Sequence, residues 1–234
     1  KAYTVLDGER LYGKFSVIKS AAPKVGTPTI YSAKCESATS IKLTWTAVEG
    51  ADAYLIYRST SKDGDFKFIK TVTKSEDNPT SYTYTNIKLA IGETYYYKIR
   101  AYHKKDEETK TYGKSSSVVS VKTIPGTATI TTAVSAGYNS IKLEWDEVKD
   151  ADAYRIYMST TKDSGFKRIA TIKKGVLTYT KKGLETGGKY YFKIITWAYD
   201  ANDNIVLGKY SRVKSATPKP AKVTISSATS SNYN

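Results

Sequence analysis

An internal repeat with a period close to one hundred residues is the feature that most constrains the fold. Residues 41–45 (IKLTW) return as residues 141–145 (IKLEW), and residues 51–57 (ADAYLIY) return as residues 151–157 (ADAYRIY). A repeat of this length defines the folding unit before any single element is assigned. Within each copy, large apolar residues alternate with polar ones, which is the pattern of a half-buried β-strand. The sequence therefore predicts two similar β-rich units.

The repeat divides the chain into two complete copies and two partial ones. We predict a first complete unit at residues 25–124 and a second at residues 125–218. Residues 1–24 match the last hairpin of a preceding unit, and residues 219–234 match the first strand of a following one. The chain is thus predicted to be a slice of a longer repetitive protein.

The two partial copies need support, because a lone hairpin is marginally stable in water. Two sources fit the pattern. One is a continuation of the chain beyond these residues. The other is completion of the open sheet edges by strands of neighbouring identical chains, as in a fibre or a surface layer. Neighbouring repeats are therefore the predicted partners.

Alternation and turn residues predict seven strands in the first complete unit. A hairpin turn of the Asp-Gly type is predicted at residues 62–65, and a charged hairpin loop at residues 103–111. The second unit repeats this order, with five residues fewer in a polar loop. The predicted strands cover residues 29–32, 41–46, 54–59, 66–72, 82–85, 94–101 and 118–121.

A single cysteine and a single histidine limit the chemistry. Cys35 has no partner for an internal disulfide, so each unit depends on its hydrophobic core alone, and we expect this residue to be half-buried. His103 is predicted to be an exposed loop residue without a partner. These two residues leave no His/Cys zinc cluster. The carboxylates fall mainly in turns, so we predict no catalytic residue, no metal site, no cofactor and no enzymatic activity.

One acidic turn resembles a calcium loop. Asp200, Asn202 and Asn204 place oxygen atoms at alternate positions, as a hard cation requires. The sixth position is Ile205 instead of the glycine that such loops use. A hairpin turn, which favours the same residue types, is the better interpretation.

The formal net charge of +15 is spread over all four predicted segments and forms no basic tail. Solvated strand faces that block edge-to-edge pairing are one explanation. Attraction to polyanions, such as cell-wall polymers or acidic glycans, is the other. We predict no nucleic-acid partner. No stretch is long and apolar enough for membrane insertion.

Both copies resemble the fibronectin type III domain. The residues that carry the resemblance are Trp45, Tyr54, Leu89, Gly92, Tyr95, Tyr97 and Ile99, and in the second copy Trp145, Tyr154, Leu184, Gly187, Tyr190, Phe192 and Ile194. The resemblance implies an all-β fold of tandem immunoglobulin-like, antiparallel sandwiches. It also implies a structural core of Trp45, Tyr54, Leu89, Tyr95, Trp145, Tyr154, Leu184 and Tyr190. The proline usual in the turn after the conserved leucine of the family is absent in both copies.

The pattern Tyr-x-Ile-Tyr-x-Ser-Thr-x-Lys-Asp at residues 54–63 further resembles modules of surface and secreted proteins from Gram-positive bacteria. This resemblance implies an extracellular location. The leading hypothesis is a non-catalytic spacer or adhesion segment of a larger multimodular surface protein. Two alternatives stay open. One is a module that binds glycans or host proteins, and the other is an accessory part of a secreted carbohydrate-active enzyme.

The candidate binding face lies on the outward side of one strand of the second unit. If Tyr190, Phe192 and Ile194 point inward, then Tyr191, Lys193, Ile195 and Trp197 point outward. The predicted face consists of Tyr157, Tyr191, Lys193, Trp197 and Tyr199. Aromatic rings with interleaved cations can stack on sugars or bind a protein. Alternatively, they cover each other and stabilise the sheet.

Overall fold

The computed structural model describes residues 1–15, 17, 24–77, 79–106, 108–220 and 227. All regular elements in this part of the chain are β-strands. Their bounds are β1 Tyr3–Leu6, β2 Glu9–Tyr12, β3 Ile30–Ser37, β4 Ser40–Thr46, β5 Ala53–Ser59, β6 Lys67–Thr73, β7 Ser81–Asn86, β8 Thr94–Lys104, β9 Lys110–Ser115, β10 Val119–Lys122, β11 Ile130–Gly137, β12 Ser140–Trp145, β13 Ala153–Ser159, β14 Lys167–Lys173, β15 Thr178–Lys181, β16 Tyr190–Tyr199, β17 Ile205–Tyr210 and β18 Lys214–Ala216.

Each unit is a sandwich of a three-stranded and a five-stranded antiparallel sheet. In the first sandwich the sheets have the orders β3-β4-β7 and β10-β8-β5-β6, with β9 also paired to β8. In the second they have the orders β11-β12-β15 and β14-β13-β16-β17, with β18 paired to β16. This strand order confirms the predicted fold class, two tandem fibronectin type III sandwiches.

The alternating pattern of β4 explains why the sheets pack face to face. Ile41, Leu43 and Trp45 have no exposed surface, whereas Lys42 between them is exposed. Side chains of a strand point alternately to its two faces, so one face of β4 is apolar and must be covered. The five-stranded sheet covers it, and β12 repeats the arrangement in the second sandwich.

Aromatic contacts lie at the centre of each core. The Trp45 and Tyr54 rings meet edge to face at 5.6 Å, and the Trp145 and Tyr154 rings are 5.5 Å apart. All eight residues of the predicted structural core are buried: Trp45, Tyr54, Leu89, Tyr95, Trp145, Tyr154, Leu184 and Tyr190.

A tyrosine hydroxyl fixes the turn before β8 and before β16. The hydroxyl oxygen of Tyr95 accepts a hydrogen bond from the Ala90 amide at 2.9 Å. The hydroxyl oxygen of Tyr190 accepts one from the Glu185 amide at 3.0 Å. This geometry is that of the tyrosine corner. The corner forms without the proline that is usual in this turn.

Three predicted features differ from the structure. The first strand, predicted at residues 29–32, extends over Ile30–Ser37. The predicted loop 103–111 is shorter than expected, because β8 extends to Lys104 and β9 begins at Lys110. The strand predicted at residues 118–121 corresponds to β10, and β9 before it was not predicted. Between β9 and β10 the Ser116 hydroxyl oxygen accepts a hydrogen bond from the Ile99 amide at 3.0 Å. Ser211 does the same for Ile194.

The hairpin at the start of the chain is formed by β1 and β2. Its turn residues Asp7 and Gly8 both have positive φ angles, 52° and 81°, which suits a tight two-residue connection. The strand predicted in residues 219–234 lies almost entirely outside the described residues, so the support expected for this partial copy stays a prediction.

The core position of Trp145 gives a direct test of the fold. We expect Trp145→Ala to lower the free energy of unfolding of the second sandwich by about 3–5 kcal/mol, because it leaves a large cavity between the sheets. Chemical denaturation followed by tyrosine fluorescence measures this. An unchanged denaturation midpoint would contradict the buried position.

The tyrosine corner gives a second test. Tyr190→Phe leaves the Glu185 amide without its acceptor, so we expect a loss of about 1–3 kcal/mol. Tyr138→Phe is the matched control, since the Tyr138 side chain is 62% exposed. Equal effects of the two substitutions on the denaturation midpoint would argue against the role assigned to the hydroxyl group.

Candidate functional site

The five residues of the predicted binding face lie on the outward side of the second five-stranded sheet. Tyr157 is on β13 and pairs with Lys193 on β16. Trp197 and Tyr199 follow on β16, and Tyr191 precedes them. Four of the five side chains are half-buried, and Tyr199 is 46% exposed. Whether this face binds a ligand remains a prediction.

Trp197 has partners, although the sequence pattern gave it none. The Arg155 guanidinium lies 5.7 Å from the centre of its ring. The Tyr199 ring meets it edge to face at 4.9 Å. Its indole nitrogen is buried without a hydrogen-bond partner among the described residues. A large part of the Trp197 ring therefore packs against neighbouring side chains of the sheet and is not available to stack on a sugar.

Lys193 is held between two aromatic rings that sequence reasoning did not include. Its ammonium nitrogen lies 4.0 Å from the centre of the Tyr210 ring and 4.3 Å from that of Phe166. The Tyr157 ring meets the Tyr210 ring edge to face at 5.4 Å. Burial, with a hydrogen bond to Tyr157, raises the pKa of the Tyr210 hydroxyl.

One outward residue is not accessible. Ile195 was expected on the outer surface, but only 4% of it is exposed. It pairs with Arg155 on one side and with Tyr210 on the other. Both neighbours are long side chains whose stems can cover apolar surface. The periodicity correctly placed the Ile195 side chain on the outer face of the sheet. It could not predict that the neighbouring side chains would cover it.

A second candidate site is the joint between the two sandwiches, which the sequence did not indicate. The Asp150 carboxylate accepts hydrogen bonds from two backbone amides. One belongs to Ala38, in the turn between β3 and β4, and the other to Gly126 in the linker, at 3.2 Å. Ala38 is completely buried. A single carboxylate thus connects the first sandwich, the linker and the second sandwich.

The joint has a second contact between a turn and a hairpin. Gly92 has a φ angle of 81°, and a Cβ atom there would lie 2.7 Å from Val206 of the second sandwich. Both its conformation and the close approach therefore require glycine. Val206 is 7% exposed. Beside this contact lies an open cavity of about 440 Å³ lined by residues of both sandwiches, among them Lys122 and Asp200.

The two linkers are held by equivalent side chains. The Cys35 thiol sulfur lies 3.3 Å from the Ile124 amide and 3.4 Å from its carbonyl oxygen. The Ser135 hydroxyl accepts a hydrogen bond from the Lys219 amide at 2.9 Å and donates one to its carbonyl oxygen at 3.2 Å. Burial raises the pKa of the Cys35 thiol. Cysteine therefore acts here as a hydrogen-bonding group.

The remaining polar candidates form local structural contacts. His103 does have a partner, contrary to expectation, because its Nδ1 atom lies 2.8 Å from a carboxylate oxygen of Asp52 on the surface. Asp200 accepts hydrogen bonds from the Asn202 and Asn204 amides, as expected for a hairpin turn. Within the described residues, no three His, Cys, Asp or Glu side chains are close enough to hold a metal ion.

Comparison of the sequence with protein-family models and with curated proteins gives no match. Two solved structures are similar. A segment of two fibronectin type III domains from chicken tenascin has 19% identity and a TM-score of 0.43, over 82% of this chain and 98% of that one. The FN1–FN3 domains of chicken CNTN1 have 14% identity and a TM-score of 0.36, over 85% and 69%. The fold assignment rests on the strand order within each sandwich. In the described part of the chain, no helix could span a membrane.

The contacts of Trp197 predict what its removal does. We expect Trp197→Ala to lower the free energy of unfolding by about 1–3 kcal/mol, because Arg155 and Tyr199 lose their contacts with its ring. Tyr199→Ala, at the more exposed end of the strand, should cost less. Thermal unfolding compares the two. A melting temperature unchanged by Trp197→Ala, together with loss of glycan binding, would instead support a sugar-stacking site.

Proposed function

We propose that this chain is a non-catalytic spacer and adhesion segment of a larger extracellular, multimodular protein. The two sandwiches, at residues 25–124 and 125–218, are its building units. Each unit places the next one at a defined position, so that tandem copies hold a functional part of the protein away from its anchor. Neighbouring repeats are its first partners, and its surface location follows from the resemblance to secreted modules.

The joint between the sandwiches is the observation that carries this proposal. A spacer transmits position only if its units are connected by more than a flexible chain. Asp150 supplies this connection, because its two accepted hydrogen bonds come from different parts of the joint. Hydrogen bonds to a charged acceptor are stronger than those between neutral groups. The contact of Gly92 with Val206 acts at a separate point, and two separate contacts restrict bending more than one.

The linkers support the same proposal. Cys35 and Ser135 hold equivalent backbone groups of two successive linkers, so the attachment recurs along the chain. Pro125 and Pro218 lie beside these attachment points and limit the backbone φ angle there. A short linker with fixed ends has few conformations to sample. This is what a spacer requires and what a freely tumbling connection lacks.

A distance measurement between the sandwiches tests the proposed role of the joint. Cys35→Ser removes the single native thiol, so that spin labels attach only at introduced cysteines. Serine is suitable here, because Ser135 occupies the equivalent position in the second sandwich. Spin labels at Lys62→Cys and Lys162→Cys then lie on exposed hairpin turns of the two sandwiches. We expect a narrow distance distribution by double electron–electron resonance. Asp150→Ala should broaden it, since opening of the joint becomes easier by about 1–3 kcal/mol.

Asp163→Ala is the matched control, because it removes one carboxylate from an exposed turn of the same sandwich. It should leave the distribution unchanged. A broad distribution in the parent protein, or one that Asp150→Ala does not alter, would show that the joint does not hold the sandwiches and would overturn the spacer mechanism.

A further inference from the structure

The two kinds of sheet differ sharply in charge. The strands of both five-stranded sheets contain no Asp or Glu residue. Each three-stranded sheet contains one, Glu36 and Glu144, and each of these pairs with a lysine, at 3.7 Å from Lys42 and 2.6 Å from Lys142. The strands of each three-stranded sheet thus contain two lysines and one glutamate, whereas the only charged residues in the strands of the five-stranded sheets are Lys and Arg, apart from the titratable His103.

Protection of sheet edges does not explain all of these cations. Lysines on edge strands such as β6 and β14 prevent pairing with other chains. Lys98 and Arg100, however, lie on β8, which has strands on both sides, and so do Arg155 on β13 and Lys193 on β16. A cation in the middle of a sheet has no exposed backbone to protect. Edge protection therefore does not account for these four side chains. Their stems cover apolar surface of the sheet, as Arg155 does beside Ile195, but this cover does not require a charged end.

The central cations are held over aromatic rings in both sandwiches. Lys98 lies 4.3 Å from the centre of the Phe66 ring, and Lys193 lies at the same distance from that of Phe166. Arg100 lies 4.7 Å from that of Tyr112. A ring restricts the position of a cation without neutralising it, because it supplies no negative charge. Arg100 in addition donates a hydrogen bond from Nε to the Gly113 carbonyl oxygen at 2.8 Å. These contacts restrict the positions of the three cations and supply no negative charge.

The same contacts decide which class of ligand fits. A neutral sugar, or an unpaired base of a nucleic acid, needs an open ring face on which to stack. Here Lys193 occupies the faces of Tyr210 and Phe166, and Arg155 that of Trp197. Tyr199, which is 46% exposed, lies at the end of β16, so the middle of the sheet offers mainly positive charge. Because both sandwiches present it, the complementary ligand is a polymer with repeated negative charges.

We propose that the outward faces of the two five-stranded sheets bind an extended acidic polysaccharide, whose carboxylate or sulfate groups contact the cations held over the aromatic rings. The choice of a polysaccharide rests on the proposed extracellular adhesive role, whereas the requirement for negative charge rests on the surface alone.

Binding to three polysaccharides tests the proposal. The probes are polygalacturonate with carboxylates, dextran sulfate with sulfates, and neutral dextran, each measured by calorimetry against the full chain. We expect at least one acidic polymer to bind, more weakly as salt rises, and neutral dextran not to bind. Lys98→Met with Lys193→Met should weaken binding by about fivefold or more, because methionine retains the apolar stem and removes the charge.

Lys42→Met with Lys142→Met is the matched control. It removes the same charge from the opposite sheets, so we expect less than about a twofold change. Equal weakening by the two pairs would reduce the effect to net charge and overturn the proposal. Binding of neither acidic polymer would do the same, as would equal binding of neutral dextran. Single-stranded DNA is titrated in parallel, and its tighter binding than either acidic polysaccharide would assign the surface to nucleic acid instead.

Chemical footprinting of the unsubstituted chain tests the same surface without variants, so it can still be used if a variant does not fold. Acetylation of lysines, read by mass spectrometry, should be slowed by the bound polymer at Lys98 and Lys193 and unaffected at Lys42 and Lys142. Uniform protection, or protection on the opposite sheets, would contradict the assigned surface. Neither result bears on the joint, which the spin-label distances test separately.

Discussion

Every other feature of this protein depends on how tightly aromatic side chains pack between two sheets. With one cysteine in the chain, no disulfide can hold the sheets of either sandwich together. The first core compensates with three rings in mutual contact: Tyr54 and Tyr82 lie 4.8 Å apart, and both touch Trp45. Large rings bury much apolar surface at a low cost in side-chain entropy. The sheets so fixed determine where the outer faces and the joint can lie.

The sequence predicted those parts of the structure that depend on alternation. Comparison of the two copies separates inward from outward positions, since Trp45 and Tyr54 recur whereas Thr44 becomes Glu144 and Leu55 becomes Arg155. The sandwich fold and the buried positions of the core residues could therefore be predicted. Strand ends were less accurate, because a side chain such as Ser116, whose hydroxyl oxygen accepts a hydrogen bond from the Ile99 amide, lies between two strands without changing the periodicity.

The candidate sites were harder to predict, because they depend on contacts between residues far apart in the sequence. Asp150 reads as an ordinary turn residue, and its counterpart in the first copy is Gly50. Nothing in the local pattern places it beside Ala38, more than one hundred residues away. The outer face is similar. Periodicity placed Lys193 on the outside, but the rings that hold it come from β17 and from the turn before β14. The face on which a side chain lies follows from the local sequence pattern, whereas the residues that it contacts depend on the whole fold.

The joint has a consequence for a chain that is pulled from its ends. Its hydrogen bonds to Asp150 connect the sandwiches at a few points, whereas the strands within each sandwich are connected by whole ladders and a buried core. Under tension the weakest connection opens first, so the joint yields while both cores remain folded. The released segment is short and closes again when the force falls. A surface protein built from such units would absorb small mechanical loads by reversible bending and would unfold only under much larger ones.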